Sequence, residues 1–66
     1  MARAKIICTL GPASFDESVI RGLVDAGMNV ARINFSHGSH EVLERVVESV
    51  RNVAAATGNP IAILGD

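Results

Sequence analysis

The sequence predicts an α/β fold, built as a βαβαβ unit whose three strands run parallel. Three short apolar runs of strand length alternate with two amphipathic stretches of helix length. Each helix-length stretch is a crossover rather than a hairpin turn, and consecutive strands joined that way pair in parallel with right-handed connections. Gly or Pro punctuates the ends of the runs, as turn chemistry requires.

The first run, AKIICTL (residues 4–10), is β-branched and apolar and is closed by Gly11-Pro12, so it reads as a buried strand and a turn. SFDESVIRGLVDAG (14–27) reads as a helix. Ser14 with Glu17 makes a capping box, and Asp16 also suits the first turn. Phe15, Val19, Leu23 and Ala26 recur at helical spacing, Ile20 and Val24 widen the stripe, and Gly27 stops the helix. MNVARINF (28–35) is the second strand. The second helix spans 39–58, with Ser39 as N-cap and Gly58 as the stop; its apolar face is Val42, Val46, Val47, Val50, Val53 and Ala54. Glu41 and Arg45 have ion-pair spacing, and Glu48 reaches Arg45 or Arg51. Asn59-Pro60 turns into IAILGD (61–66), the third strand.

With 66 residues the chain is one small domain at most. Domains of this size bury only about 60% of their unfolded surface and usually add disulfides or a metal. One cysteine, Cys8, excludes an internal disulfide and reads as a small buried hydrophobe; no Cys/His set suits structural zinc. His37 and His40 are three apart with no third ligand in range, so a metal site there is weak. A parallel sheet needs cover on both faces, which two helices do not provide, so the unit reads as part of a larger α/β fold. Six basic and seven acidic residues are scattered, for a net charge of −1, and there is no Trp or Tyr. That argues against nucleic acid as a partner. No stretch approaches the about 20 apolar residues of a membrane span, and the N-terminal apolar run of about five is too short for a signal peptide. A cytoplasmic location is expected.

The second strand changes character along its length. Alternation puts Ala31, Ile33 and Phe35 on one face and Met28, Val30, Arg32, Asn34 and Ser36 on the other. The second face begins apolar and ends polar, which suits a strand that fills a core at one end and meets a ligand at the other, because an unpaired buried polar group is costly. Ligands in parallel α/β folds lie at the carboxyl ends of the strands. Arg32 offers a fork for phosphate or carboxylate. Asn34, Ser36 and Asp66 offer oxygens with a single formal charge, a donor set for a weakly charged hard cation. His37-Gly38-Ser39 then leads into a helix N-terminus that favours anions. The same residues admit a plainer reading, a polar network in which Asn34 and Ser36 bond local backbone. A small stand-alone phosphate-binding module is the alternative function.

KIICTLGPAS (5–14), AGMNVARINFSHGSHE (26–41) and IAILGD (61–66) closely resemble, in order, the N-terminal part of the pyruvate kinase family's barrel domain. The resemblance covers nearly the whole chain. It implies that residues 1–66 form the first βαβαβ part of a (β/α)8 TIM barrel, an incomplete domain. The implied enzyme is a cytoplasmic glycolytic homotetramer that transfers the phosphoryl group of phosphoenolpyruvate to ADP, giving pyruvate and ATP, with Mg2+ and K+ as cofactors. By position, the resemblance makes Arg32 a contact of the phosphoryl group or substrate. It makes Asn34, Phe35, Ser36 and His37 the nucleotide-contacting segment, and Asn34, Ser36 and Asp66 potassium ligands, with Pro12 bordering the same pocket. The family's divalent-metal carboxylates and catalytic lysine lie beyond Asp66, so no catalytic residue is assigned here, and these 66 residues alone are expected to be inactive.

Overall fold

The structure, a computed structural model, describes residues 5–36 and 38–66. Its elements are β1 (Ile6–Leu10), a 3-10 turn (Pro12–Ser14), α1 (Glu17–Asp25), β2 (Met28–Ile33), α2 (His40–Thr57) and β3 (Ala62–Gly65). The strands form one parallel sheet in the order β1-β2-β3. Both helices feed a single core: Ile20 and Val24 of α1 and Leu43, Val46, Val50 and Val53 of α2 are buried with Leu10, Met28, Ala31 and Ile33 of the sheet. The expected βαβαβ order and parallel pairing are therefore present.

The first helix begins later than expected. Ser14 does not cap it. Its hydroxyl accepts from the Gly11 N–H at 2.9 Å and its own N–H donates to the Gly11 carbonyl at 2.8 Å, closing the 3-10 turn. Pro12, with its fixed φ, favours that tight turn directly after the strand. Asp16 takes the N-cap position instead; its carbonyl accepts from Val19 and Ile20, and its carboxylate accepts from the Ser18 hydroxyl at 2.7 Å. The buried stripe is also displaced round the helix: Ile20 and Val24 form its centre, Phe15 and Leu23 flank it, and Val19 is 41% exposed.

In α2 the expected cap holds, with Ser39 Oγ accepting from the Val42 N–H at 3.2 Å. Leu43, absent from the expected apolar face, is buried, whereas Val42 lies at the edge. The 3-4-3 spacing of Leu43, Val46, Val50 and Val53 makes the narrow stripe that faces the sheet. The helix-spaced pair that forms is His40 Nε2–Glu44 Oε1 at 3.1 Å; Glu41–Arg45 is not among the ion pairs of the described residues. Such exposed pairs contribute little to stability. Gly58 ends the helix at φ 71°, in the left-handed region. Gly58→Ala in the full-length protein is therefore expected to lower unfolding free energy by about 1 kcal/mol. A denaturant titration checks this, with Gly58→Asn expected to lose less.

The largest departure from simple alternation lies in β2. Ile6 pairs with Met28 but Ile7 pairs with Val30, so Asn29 is an extra residue on β2. Its side chain fills the gap in the ladder, Oδ1 accepting from the Ile6 N–H at 3.0 Å. The bulge reverses the phase of the strand. Met28, expected on the face of Arg32, is 2% exposed and belongs to the helix-side core with Ala31 and Ile33. The opposite face, uncovered by α1 or α2, carries the rows Ile7–Val30–Ala62 and Thr9–Arg32–Leu64. Ile7 and Leu64 are exposed there, and Thr9 and Arg32 begin its polar end.

Candidate functional site

The polar end of that face is held in place by backbone. Beyond the Ile33–Gly65 pair, the Asp66 N–H donates to the Ile33 carbonyl at 2.9 Å, and the Phe35 N–H donates to the Asp66 carbonyl at 2.8 Å. This pattern is the next rung of a parallel ladder and sets Asp66 opposite Asn34. Leu64 is opposite Arg32 on the preceding same-face rung. Arg32, Asn34 and Asp66 thus emerge together from the carboxyl ends of two adjacent strands.

Arg32 and Asp66 form an ion pair through Nη2 and Oδ2. Both side chains remain about half exposed, at 42% and 53%. Asn34 and Ser36 form a second unit. Asn34 Oδ1 accepts from the Ser36 N–H at 3.0 Å and from the Ser36 hydroxyl at 2.7 Å, the side-chain-closed turn typical of Asn. The plainer reading of these two residues, bonding local backbone, describes this arrangement. It leaves the Ser36 oxygen with its lone pairs, since the hydroxyl donates in that contact.

Phe35 points away from this group. Its ring lies so close against Gly65 that a Cβ added there would clash with it. It also borders a concavity of about 540 Å3 on the helix side, with Gly38, His40, Leu43, Glu44 and Val47. Of the expected nucleotide segment, then, Asn34 and Ser36 share the strand-end group, Phe35 faces the other way, and His37 lies outside the described residues. Cys8 is half-buried and packs against the core, as a small hydrophobe does. Among the described residues no group of three His, Cys, Asp or Glu side chains is placed to hold a metal ion.

The Arg32–Asp66 pairing was not anticipated. A signal for it exists: once Arg32 and Leu64 are in register, Asp66 returns to the face of Arg32 two residues later. The bulge at Asn29 left no comparable signal, because an apolar strand with one extra residue reads like one without it.

Fold and site together define a parallel α/β unit with both helices on one side and an ionic, oxygen-rich cluster at the strand carboxyl ends. A family model described as "Pyruvate kinase, barrel domain" matches residues 1–66. The chain is 52% identical over all 66 residues to a pyruvate kinase of Staphylococcus aureus (strain USA300), of which it spans 11%. Two solved structures of pyruvate kinase from Cryptosporidium parvum superpose with TM-scores of 0.87 and 0.88 at 41% identity, over 94% of this chain and 13% of theirs. The chain belongs to the pyruvate kinase barrel-domain family.

Proposed function

We propose that this chain contributes part of the phosphoryl-transfer site of an enzyme that converts phosphoenolpyruvate and ADP to pyruvate and ATP. The observation that carries the proposal is the convergence of Arg32, Asn34 and Asp66 on one face at the carboxyl ends of β2 and β3, in a chain of this family. In such a reaction the bond from phosphorus to the enol oxygen breaks as the bond to a terminal ADP oxygen forms, and the released enolate takes up a proton. Catalysis rests on positioning and charge neutralisation. Arg32, permanently charged and planar, would hold phosphoryl oxygens. The segment Asn34, Phe35, Ser36 and His37 would border the nucleotide.

Asn34 Oδ1, Ser36 Oγ and the Asp66 carboxylate are all hard oxygen donors, and together they carry one formal charge, which fits K+ better than a tight divalent cage. The ion would add positive charge beside the phosphoryl group without proton chemistry. Among the described residues no group of three His, Cys, Asp or Glu side chains is placed to hold Mg2+. A homotetrameric, cytoplasmic enzyme belongs to the same reading, supported by family membership; among the described residues no helix is long and apolar enough to cross a membrane.

Full-length protein is expected to form pyruvate from phosphoenolpyruvate and ADP in a coupled assay, and the isolated 66 residues are not. In the full-length protein, Asn34→Ala and Ser36→Ala should each raise the K+ concentration for half-activation by about five-fold, the loss of one good polar contact. Thermal midpoints should stay within a few degrees of wild type. An unchanged K+ dependence in both variants would remove the cation assignment.

A further inference from the structure

We infer that Asp66 serves as an internal counter-ion for Arg32, occupying the guanidinium until a cation and a phosphoryl ligand separate the pair. This rests on the proposed roles of Arg32 and Asp66 and adds a regulation to that site. The two residues are oppositely charged, project from adjacent strand ends and are joined through Arg32 Nη2 and Asp66 Oδ2. A guanidinium grips a phosphate bidentately in two ways: end-on through both terminal nitrogens, or side-on through Nε and Nη2. Nη2 is common to both. A carboxylate on that nitrogen therefore blocks one fork and sets a like charge beside the other.

A monovalent cation drawing the Asp66 carboxylate toward Asn34 and Ser36 would free Nη2. Asp66 lies opposite Asn34 on the ladder, so a side-chain rotation suffices and no strand need move. The Asn34–Ser36 turn is not bonded to Arg32 through any described contact, so it can remain in place while the pair opens. Cation and anion then assist each other: each removes the competitor of the other, and by linkage the effect is equal in both directions. The size is bounded. An exposed ion pair is weak, so the closed form reduces apparent anion affinity by no more than about five-fold.

The experiment measures binding of phosphoenolpyruvate to full-length protein by calorimetry, without ADP, in tetramethylammonium buffer and again with K+. The proteins are wild type, Asp66→Asn, Arg32→Lys and the double variant. For wild type, K+ should tighten binding about three- to five-fold. Asp66→Asn without K+ should already bind about three- to five-fold tighter than wild type without K+, and K+ should then add less than it adds to wild type. In the Arg32→Lys background the gain from Asp66→Asn should shrink to less than about two-fold, because the shared fork nitrogen is gone. If Asp66→Asn without K+ binds no tighter than wild type, Asp66 is not a competitor and the inference fails. An equal gain in both backgrounds also overturns it, leaving only a general field effect of the carboxylate. If Arg32→Lys and wild type bind the ligand identically under every condition, the failure lies instead in the assignment of Arg32 to the phosphoryl group.

Discussion

Replacing Arg32 with methionine in the full-length protein is expected to lower kcat/KM for pyruvate formation by about 10³-fold, with the thermal midpoint within a few degrees of wild type. Arg32 lies on the sheet face away from α1 and α2, at the strand end, and half of its side chain is exposed; the buried core touches its neighbours Ala31 and Ile33 instead. Methionine keeps much of the aliphatic stem and removes only the guanidinium. What is lost is a permanent positive charge and a bidentate donor aimed at oxygens whose charge is redistributed in the transition state. Arg32→Lys separates these two contributions. It restores the charge without the planar fork and should recover part of the rate, leaving a deficit of about 10- to 100-fold. Steady-state kinetics on the three proteins, with circular dichroism to confirm folding, tests this. A methionine variant with a rate near wild type would remove Arg32 from the phosphoryl site.

The largest stability effect is expected at Ile33. Ile33→Ala should cost about 3 kcal/mol of unfolding free energy, read from the denaturant midpoint of the full-length protein with unchanged slope. Ile33 is fully buried between its partners Leu10 and Gly65, beneath the helix layer. Gly65 offers no side chain to fill the vacated space, so local collapse is limited. The effect should also reach the site, because the Ile33 carbonyl accepts the Asp66 N–H and begins the rung that sets Asp66 opposite Asn34. Val19→Ala is the informative contrast. The helical spacing alone puts Val19 on the apolar stripe of α1, yet it is 41% exposed, and its loss should cost less than about 0.5 kcal/mol. Equal costs at the two positions would mean that the core is centred elsewhere.

Much of the candidate site could be read from the chain because strand periodicity is simple once a strand is regular. From Val30 onward β2 alternates cleanly, so the polar face of Arg32 and Asn34 followed from spacing. The carboxyl-end placement followed from parallel topology, which the helix-length crossovers implied. The assignments to potassium, nucleotide and phosphoryl group came from family resemblance, since oxygen donors at strand ends are equally consistent with local turn bonding, and Asn34 and Ser36 do bond in that way. Phe35 shows the limit of parity arguments: it lies on the expected apolar face, yet it is 53% exposed and its ring rests on Gly65.

The order of the elements, their parallel pairing and the polar turn at the end of β2 were determined by the sequence itself, through hydrophobic period, crossover length and turn residues, which act over a few neighbours. Tertiary structure alone decided the bulge that carries Met28 into the helix-side core, the burial of Leu43 in place of Val42, and the union of Arg32 with Asp66. Those outcomes depend on which residue meets which across more than twenty positions of chain, where packing volume and charge choose among local conformations of nearly equal energy.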